Sequence, residues 1–431
     1  MLLRLAAVAA FAAAPCFVHA QTAPVPVRTD FPALTLDDAF ARVADAHPAL
    51  RLFEGQRDVL DAEREAALLR PALEAGVEIE NLGLDAGTRS VEATLSLAGV
   101  FERGGKLDAR RALAQRRIDA LAPQREAARI DLLAETARRH LDIVVATRRQ
   151  AIARTDVAQR ARFVDAARQR FAAGASPEAV VLTAQAAQAQ AGLEVARAGM
   201  EVDNARRSLA MLWGDPEAAF EITPGDPLAL PDIADFARLR TLLAQSPELL
   251  QFNDRERIAE ARLQLARSDA TADIGWSAGI RHQRENGDTA LVGGFTVPIG
   301  SRARAQPGIR AASAELALVS IERQAGDRML QATLADAHGR YRVAQAEVEL
   351  LQREVLPRLA RAASASERAW RAGAASYLEW SQLQDARSDA LRQQLDAAQA
   401  AQIALIELQR LTGQPLVVAP ATRTPTDGDA R

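Results

Sequence analysis

The sequence predicts a mostly α fold with a small β part, built by internal duplication. Three observations carry this. First, a glycine-marked motif occurs twice: Phe171-Ala172-Ala173-Gly174-Ala175-Ser176 recurs 199 residues later as Trp370-Arg371-Ala372-Gly373-Ala374-Ala375. The same offset relates His47-Pro48-Ala49-Leu50 to Ser246-Pro247-Glu248-Leu249, and Leu212-Trp213-Gly214-Asp215-Pro216 to Leu411-Thr412-Gly413-Gln414-Pro415. Matches in one register mark two copies of one structural unit. Second, each copy holds a pair of short runs in which apolar residues alternate. Third, each holds a helical stretch of roughly 70 residues, a rod of about 100 Å at ~1.5 Å per residue.

Composition agrees. Ala, Leu, Arg, Gln and Glu are abundant, aromatics are 4 % of residues and Lys106 is the only lysine. Such a chain favours long helices that small side chains allow to pack closely. The formal net charge is −3, and 53 basic residues less Arg4 of the leader against 56 acidic ones give −4. No basic face for nucleic acid is implied. Residues 1–20 read as a signal peptide: Arg4, the apolar run Leu5 to Ala14, then Val18-His19-Ala20 as a cleavage site. The single cysteine, Cys16, lies inside it, which excludes disulfides from the mature chain. No stretch approaches the ~20 apolar residues of a transmembrane helix, so any membrane crossing must use strands.

Residues 21–34 are Pro-rich and extended. The first repeat, 35–216, opens at Thr35 as a helix N-cap, with Asp37 and Asp38 in the first turn. Helical spacing runs from Leu36 to about Leu69, and the counterpart runs from about Asp235 to Ser268. Period-2 alternation follows. Strands are expected at about 75–84 and 90–100, joined by the turn Leu82 to Gly87. In the second repeat, 235–416, they fall at about 273–283 and 289–299, joined by Asn286-Gly287-Asp288. Long helices occupy about Lys106 to Ala172 and Ala303 to Ala372, with Pro123 and Pro357 expected to bend them. Turns at Gly174 and Gly373 send helices back from Pro177 to Trp213 and from Ser376 to Leu411. Residues 217–234, with Pro224, Pro227 and Pro231, read as a linker, and 417–431 as a disordered tail.

This arrangement points to a pore. Only helices and closed barrels cross a bilayer, because every backbone polar group must be paired there. Four alternating strands have the right length but cannot close a barrel on their own. Three chains would give twelve strands, with the helices continuing as a coiled-coil tube. Trp276, Phe295 and Phe101 are the aromatic residues near the strands.

From about Leu34 to Leu416 the sequence resembles the outer membrane factor family, the TolC-like exit ducts of tripartite efflux pumps. Four segments carry the likeness: Leu34-Thr35-Leu36-Asp37-Asp38-Ala39 with His47-Pro48-Ala49-Leu50; Phe101-Glu102-Arg103-Gly104-Gly105-Lys106; Ala173-Gly174-Ala175-Ser176-Pro177; and Val297-Pro298-Ile299. Gly104-Gly105-Lys106 followed by Arg110-Arg111-Ala112 is most similar to the CzcC-like branch, which serves heavy-metal exporters.

The resemblance implies a homotrimer in the outer membrane, with a twelve-stranded β-barrel and a periplasmic α-helical barrel. It implies no catalytic residues and no cofactor. Its partners would be a periplasmic adaptor (membrane fusion protein), an inner-membrane transporter and outer membrane lipid. The adaptor would dock on the tips, Gly174, Ala175, Ser176 and Pro177 with Gly373, Ala374, Ala375 and Ser376. Matching from Gly373 places Glu379, Gln382 and Asp385 at the constriction; the second position is usually acidic and is glutamine here. The copy of Glu379 in the first repeat is Val180. Drug efflux and type I secretion use the same architecture. A periplasmic adaptor is the other class considered, and two helical hairpins weigh against it. Histidines 47, 140, 282 and 338 lack metal-site spacing, and no Ser/His/Asp set suggests an enzyme.

Overall fold

A computed structural model describes residues 33–81, 91–215, 217, 219–223 and 225–413. The expected leader, most of the extended segment, the turn Leu82 to Gly87 and the C-terminal tail lie outside the described residues.

Ahead of the first repeat stands β1 (Ala33–Leu34), and the repeat opens with α1 (Leu36–Ala46) and α2 (Pro48–Leu68). Thr35 caps α1 through a reciprocal box with Asp38, whose carboxyl is held low by that hydrogen bond. One helix was expected from Leu36 to Leu69, but it divides at His47. Proline disfavours the helical region for its predecessor, and His47 is extended (ψ 127) with its Nδ1 accepting from Ala49 N–H at 3.1 Å. Strands β2 (Glu74–Glu80) and β3 (Glu92–Phe101) follow, then α3 (Lys106–Asp119), α4 (Leu121–Ala172) and α5 (Glu178–Ala210). The rod expected from Lys106 breaks at Ala120, three residues before Pro123, whose ring is compatible only with the first turn of a new helix.

After β4 (Glu221–Ile222) the second repeat runs through α6 (Phe236–Leu243), α7 (Pro247–Ser268), β5 (Ile274–Gln283), β6 (Thr289–Thr296), α8 (Ser301–Leu350), α9 (Leu356–Arg371) and α10 (Tyr377–Thr412). Ser246 before Pro247 divides α6 from α7, as His47 does in the first copy, and caps α7 through Leu249 N–H. A π-helical turn, Leu351–Val355, separates α8 from α9 just ahead of Pro357. There the missing amide is absorbed without breaking the rod.

The helices pair as coiled coils. Buried Ala184, Ala191 and Ala198 on α5 stand one heptad apart, with Val181, Val202 and Leu209 on the same seam. On α10 the buried series Ala390, Ala397, Ala404, Leu411 and Gln394, Ala401, Leu408 do the same. Small residues let the backbones approach closely.

Where the two repeats meet, β1 pairs in parallel with β4, Ala33 opposite Glu221. The stretch expected as a linker is pinned down. Gln402 donates to the carbonyls of Pro227 and Ala229 (3.3 and 3.1 Å), and the buried Tyr341 hydroxyl donates to Pro231. Burial pushes that phenol up to about 12. Below it Arg410 on α10 reaches Glu248 on α7 at 2.5 Å, Asp131 on α4 at 2.8 Å and Glu407 at 2.9 Å, while Arg138 holds Glu407 at 2.7 Å. Burial raises the Glu407 carboxyl, but Arg410 and Arg138 outweigh that and hold it low.

Removing Arg410 leaves the half-buried Glu248 without its partner and Glu407 with Arg138 alone, so Arg410→Ala should lower stability by about 2 kcal/mol. Thermal unfolding in detergent followed by circular dichroism checks this; a loss below ~0.5 kcal/mol would mean that the network behaves as an exposed one.

Candidate functional site

The four long strands form one antiparallel sheet in the order β2-β3-β5-β6. Its register sorts the side chains. Val77, Leu95, Ile280 and Leu291 lie directly opposite one another across all four strands. Ala75, Leu97, Ala278 and Gly293 form the neighbouring row on that face, and Trp276 pairs with Phe295. That face carries no formally charged residue, and Val77, Leu95, Leu291 and Phe295 are exposed on it. The opposite face holds every charged residue of the sheet: Glu74, Glu78, Glu80, Glu92 and Arg281. Arg281 bridges Glu80 (3.3 Å) and Glu92 (3.2 Å) and donates to Thr94 Oγ1 at 3.1 Å. Without it, two carboxylates would sit directly opposite each other. A sheet apolar on one side and polar on the other is what a membrane barrel wall requires. Ten tilted residues, as in β3 and β5, span the ~25 Å apolar band. No helix among the described residues is long and apolar enough to cross a membrane.

The sheet joins the helices through a charged joint. Lys106 Nζ meets Asp273 Oδ2 at 2.7 Å, and Arg103 N–H donates to Asp273 Oδ1 at 3.0 Å. Glu102 takes a two-point pair from Arg110 at 2.5 and 2.9 Å. Gly104 (φ +76) passes so close to α7 that a Cβ would stand 2.6 Å from the Thr271 side chain and 2.9 Å from the Ser268 carbonyl. The Gly-Gly-Lys motif is therefore a close crossing followed by a pin.

At the far end both tips end on the same backbone device. Gly174 N–H donates to Phe171 O (2.9 Å) and Ala175 N–H to Arg170 O (2.8 Å); Gly373 N–H donates to Trp370 O (3.0 Å) and Ala374 N–H to Ala369 O (2.8 Å). These are paired Schellman turns, which need a left-handed residue; Gly174 and Gly373 have φ of +66 and +78. Gly174, Ala175, Pro177, Gly373, Ala374 and Ser376 are exposed, and Ser176 and Ala375 are half-buried.

The two tips are tied together by residues that the sequence did not mark as partners. Arg170 on α4 donates to the Trp370 carbonyl at 2.5 Å, and its guanidinium lies 5.3 Å over the Trp370 ring. Trp370 stacks on Trp380 (4.6 Å between centroids), and Trp380 meets Phe163 of α4 at 3.8 Å. Aromatics in positions held by Phe171 and Val181 in the first copy were the available signal.

Of the three constriction residues, the structure leaves Glu379 and Gln382 exposed on α10. Glu379 closes a capping box: Ser376 N–H donates to its carboxylate at 2.8 Å, and Glu379 N–H donates to Ser376 Oγ at 3.2 Å. Those Ser376 hydrogen bonds, backbone first and hydroxyl second, hold the carboxyl below its ordinary value of 4.5. Asp385 is not a free charge. It accepts from Arg160 at 2.6 Å, and Arg160 also holds the buried Asp156 at 3.0 Å. Among the described residues no group of three or more His, Cys, Asp or Glu could hold a metal ion.

Comparison with known proteins agrees with this geometry. Residues 54–215 match the family model described as outer membrane efflux protein. The chain is 25 % identical over 369 residues to the cobalt-zinc-cadmium resistance protein CzcC of Cupriavidus metallidurans, covering 86 % of this chain and 87 % of that one. Its fold is similar to that of CusC (TM-score 0.73, 17 % identity, 91 % and 95 % of the two chains). It is equally similar to the outer membrane protein VceC of Vibrio cholerae (TM-score 0.72, 16 % identity, 89 % and 97 %). The chain thus resembles outer membrane efflux proteins in sequence over residues 54–215 and outer membrane channels in fold over most of its length.

Two outcomes are expected at the tips. Arg170→Ala should broaden the distance distribution between spin labels at Ala175→Cys and Ala374→Cys; an unchanged distribution would show that Arg170 does not couple the turns. A carboxyl with a lowered folded pKa stabilises above its ordinary 4.5, and the effect is lost as pH falls through the folded value. Hydrogen exchange over the first turn of α10 should therefore quicken, beyond its intrinsic pH dependence, as pH falls from neutral to about 3. Ser376→Ala should remove this extra dependence.

Proposed function

We propose that three copies of this chain close a twelve-stranded barrel in the outer membrane and form the passive exit duct of a tripartite efflux system, with heavy-metal cations such as cobalt, zinc or cadmium as cargo. One observation carries the reading: a sheet with an uncharged face, a charged face and two edges, β2 and β6, without partners among the described residues. In hydrocarbon those edges would leave backbone groups unpaired at several kcal/mol each. Pairing β6 of one copy with β2 of the next satisfies them, puts Val77, Leu95, Ile280 and Leu291 toward lipid, and turns Glu78, Glu80, Glu92 and Arg281 into the lumen. The helices then continue the ring as a periplasmic tube. The exposed turns at Gly174 and Gly373 would receive the adaptor, which couples the duct to an inner-membrane transporter.

The cargo class rests on the likeness to the cobalt-zinc-cadmium resistance protein. In the tube, Glu379 and Gln382 stand at the narrow end, one charged and one neutral ring. Asp385 shares Arg160 with Asp156, so that cluster of two carboxylates and one guanidinium keeps a single negative charge.

Detergent-extracted protein should have three times the mass of one mature chain, and a monomer in the aqueous periplasmic fraction would overturn the proposal. Leu95→Arg puts a cation on the lipid-facing side at about 2–4 kcal/mol near mid-membrane and should sharply reduce inserted trimer; Glu78→Gln should leave it intact. A strain lacking the gene should lose tolerance to cobalt, zinc or cadmium and regain it on complementation. Unchanged tolerance to all three would reject the cargo while leaving the duct.

A further inference from the structure

The apolar face of the sheet is not the same at its two ends. Its aromatic residues among those described, Phe101, Trp276 and Phe295, gather at the end joined to the helices. Trp276 and Phe295 are cross-strand partners, and Phe101 stacks on Trp276 at 5.9 Å. Gly99 lies beneath Trp276, where a Cβ would stand 2.9 Å from the indole nitrogen, so the ring rests flat on the strand. At the other end the same face finishes in Ile79, Ala93, His282 and Thr289, and Arg281 is turned to the charged side.

Just beyond the aromatic end the chain places Arg103, two residues past β3, and Arg302 and Arg304 in the first turn of α8. All three are exposed, and none makes an ion pair among the described residues. Two carboxylates at this joint are engaged: Asp273 by Lys106 and the Arg103 N–H, Glu102 by Arg110. Aromatic rings favour the level between acyl chains and headgroups, and guanidinium groups pair with phosphate in a two-point geometry.

Resting on the reading of the sheet as a membrane wall, we infer that this rim is a collar for anionic phospholipid headgroups of the periplasmic leaflet. Phe101, Trp276 and Phe295 sit at the acyl boundary, and Arg103, Arg302 and Arg304 hold the phosphates. Among the described residues the aromatic rings of the apolar face lie at this end, so the collar fixes the depth of the barrel and its orientation.

The test uses full-chain protein in nanodiscs of phosphatidylcholine with an admixture of phosphatidylglycerol, extracted mildly and assayed by native mass spectrometry for retained lipid. Wild type should retain phosphatidylglycerol in preference, and R103Q/R302Q/R304Q should lose roughly fivefold in that preference per arginine removed. R51Q/R154Q/R328Q makes the same charge change on other exposed arginines and should keep the preference. R103K/R302K/R304K should keep part of it. Soluble glycerol phosphate should not compete. Equal retention of both lipids by wild type, an unchanged preference in the rim variant or an equal loss in the control set would each overturn the collar. If the glutamine variant does not fold, R103Q alone decides by the same readout. A trimer that inserts without lipid preference removes the collar and spares the duct; a chain that never inserts removes both.

Discussion

Everything in this molecule follows from the backbone groups along the two free edges of its sheet. β2 and β6 are paired on one side only, and their apolar face suits hydrocarbon and not water. Water could satisfy those groups, but a bilayer cannot. On the proposed reading a single chain is therefore not the finished object in a membrane, and further copies supply the missing ladder. In that ring the polar face would line the lumen, where Arg281 lies between Glu80 and Glu92.

The duplication gives the chain two like hairpin units, and the divergence between copies fastens one to the other. Both tips use the same Schellman hydrogen bonds, so the backbone of the unit is preserved. Side chains differ where one hairpin must be fixed to the other. Trp370 and Trp380 occupy places held by Phe171 and Val181, and with Arg170 and Phe163 they clamp the second tip onto the first. Arg410 and Glu407 occupy the places of Met211 and Ser208, and they tie α10 to α4 and α7.

What could be read from the sequence was local. The strands were visible because alternation has a period of 2, and the tips because a glycine is needed in a left-handed cap. The breaks at His47 and Ser246 were equally legible, since each precedes a proline, yet the apolar spacing continues across both and suggested single helices. Ser376-x-x-Glu379 is a capping box by pattern, and the resemblance drew attention to a pore role for Glu379 instead. Partners 160 to 280 residues apart left no local trace: Lys106 with Asp273, Arg170 with Trp370, Arg410 with Asp131. Only the fold brings them together, because they stabilise contacts between elements and not within them.

The pairing of β6 with a neighbour's β2 is the most direct point of test. An electron cryomicroscopy map of the full chain in nanodiscs should show three-fold symmetry and twelve strands, with each β6 hydrogen-bonded to the β2 of the next copy and Leu95 and Leu291 facing lipid. A map in which β2 and β6 of one chain close on each other, or in which either edge stays unpaired, would contradict the account.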